Sequence, residues 1–192
     1  MHASWVRHLV AAFGLLFVVP SFGCGDGPEE KSAFQLKREV EERERQLTRA
    51  QRELAEARAR LALAEGKQEL AITELRKAVA CCQSEVQWIR GHVNWFCDPR
   101  EPMDGAQLDL AKYRAWLAEV EGDTASFVAE WKKIVGFHEQ RLKTVQRLAQ
   151  MRAVDAAEVT VVQQALDKAR HRLEAAEKRL SAERAKNTEE SK

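Results

Sequence analysis

Leucines at 47, 54, 61 and 75 fall on one seven-residue series that skips a beat at Gln68, and alanines at 50, 57, 64, 71 and 78 fill a companion series three residues on. Apolar residues repeated at this interval lie on one stripe of an α-helix, and that stripe must be covered by another helix. Alternation of large and small side chains lets the partner approach closely, toward an interaxial distance of about 8 Å. The pattern therefore confines the chain to helix-on-helix packing. Nine glycines and four prolines in 192 residues leave few places where such helices could stop.

The apolar series continues through Cys82, Val86, Ile89, Val93 and Phe96. It predicts one helix from Pro28 to Phe96, about 100 Å long. Gly66 falls inside it at a cost of about 1 kcal/mol against alanine, less than the roughly 1.5–3 kcal/mol gained by burying one leucine, so the expectation is a bend and not an end. Residues 97–105 carry Pro99 and Pro102 and read as a tip loop, after which Asp104 and Gln107 resemble a capping box. Beyond it Leu110, Tyr113, Leu117, Val120, Thr124, Phe127, Trp131, Ile134, His138, Leu142 and Val145 recur at three- and four-residue steps, and Val159, Leu166, Leu173 and Leu180 repeat the leucine series near the C-terminus. The predicted fold is all-α: a long antiparallel helical hairpin of coiled-coil type over 28–186, with a break at 122–124 and room for a small helical head at the distal end. In that register Leu61 meets Leu142 and Trp88 lies beside Trp116. Residues 187–192 read as a disordered tail.

The N-terminus carries an address. Arg7 precedes an apolar run from Leu9 to Val19, followed by Pro20, Ser21, Phe22, Gly23 and Cys24. Eleven apolar residues span only about 16 Å as a helix, half a hydrocarbon core, so 1–23 reads as an export signal and not as a membrane span. Ser21 and Gly23 suit an ordinary cleavage site, and the cysteine that follows resembles the lipid-attachment box of bacterial lipoproteins, although Ser21 stands where that box usually has leucine. The resemblance implies acylation of Cys24, a short linker over 24–27, and a periplasmic location. Gly25 after the cysteine, by likeness to Gram-negative lipoproteins, points to the outer membrane.

Charge and motifs narrow the function by exclusion. Lys and Arg number 31 against 30 Asp and Glu, for a net charge of +1, so no basic field exists to attract nucleic acid. Phosphate-binding glycine loops, nucleophile elbows and zinc-protease motifs are missing from the sequence, which favours a non-enzyme without a cofactor. Arg43, Arg45, Arg49, Arg52, Arg58 and Arg60 are interleaved with glutamates and read as a solvated helix face. His138 reads as a seam histidine. Cys81, Cys82, His92 and Cys97 form the one cluster with metal or redox character; on a continuous helix Cys82 and Cys97 stand about 22 Å apart, so a site there requires a break near Gly91.

Seven of the nine aromatics outside the signal lie between residues 67 and 135, where charge is also sparser, which makes the distal end the expected adhesive one. Trp88, Trp95, Phe96, Tyr113, Trp116 and Trp131 are the candidate partner-binding residues. Cys81, Trp88 and Trp95 form a second apolar line that something must cover: a folded-back head, or another chain. The run LTRAQRELAEARARLALAEG resembles the helical hairpins of periplasmic efflux adaptor proteins, without the strand-rich segments that flank those hairpins. The resulting expectation is an exported, lipid-anchored helical module of the cell envelope that binds an envelope protein or another copy of itself. The alternative is a periplasmic metal or redox sensor built on Cys81, Cys82, His92 and Cys97.

Overall fold

The computed structural model describes residues 32–92 and 100–190, and these are all-α: α1 (Ala33–Ala64), α2 (Gln68–His92), α3 (Arg100–Glu121), α4 (Thr124–Gln150) and α5 (Ala156–Glu190), with no strand among the described residues. Two compact units are distinguished, Met1–Lys37 and Arg38–Lys192. In the first, Ser32 and Gln35 form a reciprocal capping box: the Ser32 amide donates to Gln35 Oε1 at 2.8 Å and the Gln35 amide to Ser32 Oγ at 3.3 Å. The helix start expected at Pro28, the signal and the linker lie outside the described residues.

The second unit is built from successive antiparallel hairpins. The expected single helix over 28–96 is divided at Gly66. There the Lys67 amide donates to the Ala62 carbonyl at 2.8 Å, the Gly66 amide donates to the Leu63 carbonyl at 3.1 Å, and Gly66 takes φ +73°. This is a Schellman cap, which satisfies the last carbonyls of α1 and reverses the chain. Weighing the glycine only as a poor helix former misses this stabilised alternative. Folding back also gives α2 a cover: Arg49 and Arg52 of α1 reach Glu85 of α2 at 3.2 and 3.0 Å.

The remaining turns follow the same logic. The predicted break at 122–124 is present, closed by a second Schellman cap at Gly122 (φ +76°), after which Asp123 caps α4 by accepting from the Ser126 amide at 3.0 Å. A further turn, not anticipated, separates α4 from α5 and places Arg152 in the left-handed region at φ +57°. Two boundaries also shift. Arg100–Gly105 is the opening of α3 and not part of a loop, because Pro102 sits in a first turn where its missing N–H has no helical acceptor to lose. The tail expected from residue 187 is helical through Glu190.

α3 is the central helix. Leu108, Ala111 and Ala115 pack with Ile134 and Val135 of α4 and with Leu166 and Ala169 of α5, joined by Phe127, Trp131, Phe137, Leu142 and Leu173. Ala106 packs instead with Val86 and Ile89 of α2, beside Trp88, Met103 and Leu110. The α2 half of the predicted seam is buried as the heptad requires, through Ala71, Leu75, Ala78, Cys82, Val86 and Ile89.

Candidate interaction face and the polar contacts behind it

α1 meets the bundle through a face that its leucines do not occupy. Ala55, Ala59 and Ala62 are buried, and Arg45, Thr48, Arg52 and Glu56 are half-buried on the same side. From this side Arg52 reaches Asp109 at 3.8 Å, Glu56 accepts from the Tyr113 hydroxyl, and the Arg60 guanidinium lies 5.9 Å from the centre of the Trp116 ring. A near-constant offset of 56 or 57 residues in these three contacts shows that α1 runs parallel to α3.

Arg52 organises the polar contacts. Its Nη1 lies 3.0 Å from Glu85 and 3.9 Å from the Cys82 sulfur, so α1, α2 and α3 meet on one guanidinium. Burial pushes the Cys82 thiol up to about 11, and the Arg52 charge only partly opposes this. Burial also raises Cys81, and burial together with the Glu56 carboxylate raises the Tyr113 hydroxyl. All three groups are protonated at neutral pH, which makes them poor nucleophiles and bases. Their role here is to hold three helices in register. The expected solvated arginine face is thus divided: Arg45 and Arg52 turn inward, while Arg43 and Arg58 stay exposed.

The described members of the predicted adhesive set, Trp88, Tyr113, Trp116 and Trp131, are half-buried and dispersed over the fold. Trp88 is half-buried under the Arg45 guanidinium at 4.1 Å, and Trp131 packs edge-on to Phe127 at 6.1 Å with Arg172 over its ring at 5.4 Å. Trp88 and Trp116 are not level, since their arginine partners Arg45 and Arg60 stand about 22 Å apart along α1. Leu61 does not meet Leu142: it is 60% exposed, whereas Leu142 packs on the α3–α5 core. Of the second apolar line of α2, Trp88 is covered by Arg45 of α1. Trp95, Phe96 and Cys24 lie outside the described residues.

Cys81 and Cys82 are free thiols, the first half-buried and the second buried. No group of three His, Cys, Asp or Glu side chains converges on a metal-sized space among the described residues, and Gly91 lies within α2 with no break. The His92 side chain and Cys97 are outside those residues. A groove of about 380 Å³ runs between the start of α3, α4 and the α4–α5 turn, lined by Asp104, Leu108, Phe137, His138, Arg141, Val145 and Glu158 among others. His138 is held below its ordinary range by burial and then by the charges of Lys112 and Arg141. The hydroxyl in the same lining, Thr144, is committed to the Gln140 carbonyl at 3.1 Å.

The outward face of α1 is the outstanding surface. Val40, Leu47, Leu54 and Leu61 are 55, 59, 50 and 60% exposed at strict seven-residue spacing, with Ala50, Ala57 and Ala64 exposed between them. A heptad seam is present, but no helix of this chain lies on it among the described residues. The inward face, Arg45-Thr48-Arg52-Ala55-Ala59-Ala62, was legible in the same segment as a second stripe of alanines lying beside arginines. Comparison of the chain with protein-family models, with curated proteins and with solved structures gives no match.

Proposed function

We propose that this chain is an exported, lipid-anchored helical module of the bacterial cell envelope, held at the outer membrane through Cys24, that works by docking a helical protein surface on the outward face of α1. The observation that carries the reading is the exposed ladder Val40-Leu47-Leu54-Leu61 with alanines between, a seam whose spacing is that of a coiled coil and which no described helix covers. Soluble chains rarely leave such a stripe in water. The sequence supports the location: the Leu9–Val19 run ends at Ser21-Phe22-Gly23-Cys24, and α1 begins nine residues after that cysteine. No described helix is long and apolar enough to cross a membrane, so a lipid is the tether this reading requires.

Protonated thiols and a phenol committed to a carboxylate favour a structural role for the interior over a redox one. The test pairs location with contact. Replacing Cys24 by Ser should release the chain from membranes, and a photo-crosslinking residue in place of Leu54 should capture protein in intact cells while one in place of the exposed Gln83 of α2 does not. Equal membrane retention of both chains, or silence from Leu54, contradicts the reading.

A further inference from the structure

We infer that the occupant of the α1 face is the same face of a second copy of this chain, running antiparallel about a two-fold axis that crosses the ladder between Ala50 and Leu54. This rests on the interaction role proposed above and names its partner. The alternation of large and small side chains along the ladder, together with the charges of Glu44 and Arg58 beside it, selects the arrangement. With the leucines and Val40 in one seam position and the alanines in the other, an antiparallel pair in which residue numbers sum to 104 sets Val40 on Ala64 of the second copy, Leu47 on Ala57 and Leu54 on Ala50. Every one of these layers joins a large side chain to a small one. Leu61 meets the aliphatic stem of Arg43, whose charged head can reach water.

The flanks of the same alignment are complementary. Glu44 faces Arg58, twice by symmetry, and like charges meet where Glu53 faces its own copy near the axis. Glu44 and Arg58 are exposed, so a second helix can reach them. A parallel, in-register pair fares worse. It sets Glu53 on Arg58, but it opposes Glu39 to Glu44 twice, stacks Arg43 on Arg43 inside the seam, and leaves alanine facing alanine where leucine could fill the space. The antiparallel pairing also closes on itself, because a two-fold contact uses one patch on both copies and leaves no ladder exposed to recruit a third.

The experiment is a charge swap read by sedimentation of the full chain in detergent. The unaltered chain should be dimeric. Glu44→Arg and Arg58→Glu should each turn two attractive contacts repulsive and weaken the dimer about tenfold, and the doubly swapped chain should return to within about threefold of the original. A monomeric unaltered chain, a double swap no tighter than the single ones, or a dimer tightened by Glu44→Arg alone overturns the inference; the last is what a parallel dimer would show, because there residue 44 faces Glu39 while residue 58 faces Glu53. The Leu54 crosslink separates the two levels. A product joining this chain to a different polypeptide removes self-pairing and keeps the interaction role, whereas the absence of any product removes both.

Discussion

Gly66 and Gly122 hold the same backbone conformation, φ +73° and +76°, and close the same pair of hydrogen bonds, from the residue after the glycine to the carbonyl five back and from the glycine itself to the carbonyl three back. Arg152 stands in the equivalent place at the third turn, with φ +57°: its amide donates to Ala149 at 2.9 Å and the Ala153 amide to Leu148 at 2.9 Å. One device therefore makes three chain reversals, twice with the residue suited to it and once with a residue that pays a steric cost.

This asymmetry sets the direction of three substitutions. A Cβ at Gly66 or Gly122 would meet nothing within 4 Å, so Gly66→Ala and Gly122→Ala should each cost only the left-handed backbone strain, about 1–2 kcal/mol. Arg152→Gly should stabilise by about 0.5–1 kcal/mol, since relief of that strain exceeds the added freedom of glycine in the unfolded chain. Thermal unfolding should register each kcal/mol as a shift of about 2–4 °C. A neutral Gly66→Ala would mean that the turn at residue 66 is not formed.

Two leucines of the same repeat should behave oppositely. Leu75 is fully buried and Leu54 half exposed. Leu75→Ala should cost about 2–5 kcal/mol of stability. Leu54→Glu should change stability by less than about 0.5 kcal/mol while abolishing association. Denaturant unfolding and sedimentation run on the same samples distinguish these effects, and a large loss of stability in Leu54→Glu would place that side chain inside the fold.

The thiols offer a check on the interior. Cys82 is buried and pushed up to about 11, while Cys81 is half-buried on the adjoining face of α2. Alkylation of the folded chain at pH 8 should modify Cys81 well before Cys82. Arg52→Ala should then slow Cys82 further at the chemical step if the fold survives, because the guanidinium is the charge that favours its thiolate. Peptide mapping after timed quenching gives both rates.

His138 should make the groove sensitive to acid. Its folded-state affinity for the proton is lowered by burial and by Lys112 and Arg141, so the unfolded chain binds the proton more readily. Stability should therefore rise with pH through the window from the depressed folded value up to the ordinary histidine range near 6.5, and fall as pH drops through it. The difference in melting temperature between the unaltered chain and His138→Gln isolates this contribution. A difference that does not vary between pH 5 and 7.5 would contradict the burial of that ring.

Much of this architecture was legible in the repeat, and the part that was not has a definite cause. Helical class, the buried line from Ala71 to Ile89 and the break at Gly122-Asp123 follow from periodicity and from a glycine next to a capping aspartate. The reversal at Gly66 does not, because the heptad runs straight through it. Periodicity records which residues share a face; it does not say whether that face meets the same chain or another. In α1 the guanidinium groups of Arg45 and Arg52 lie over Trp88 and reach the Cys82 sulfur, so a stripe that looks solvated packs inward and the leucines are left outside. The aromatics mark the places where arginines and helices close over them.

The fold-back at Gly66 decides which side of α1 faces out, and a distance between Gln51 and Gln83 measures it. Spin labels at these two exposed positions, in chain diluted with unlabelled protein, should lie on neighbouring antiparallel helices whose axes are about 8–10 Å apart, giving a label separation near 20 Å. A separation near 48 Å, the length of 32 residues of unbroken helix, would restore a continuous rod and remove the outward ladder on which the proposed pairing depends.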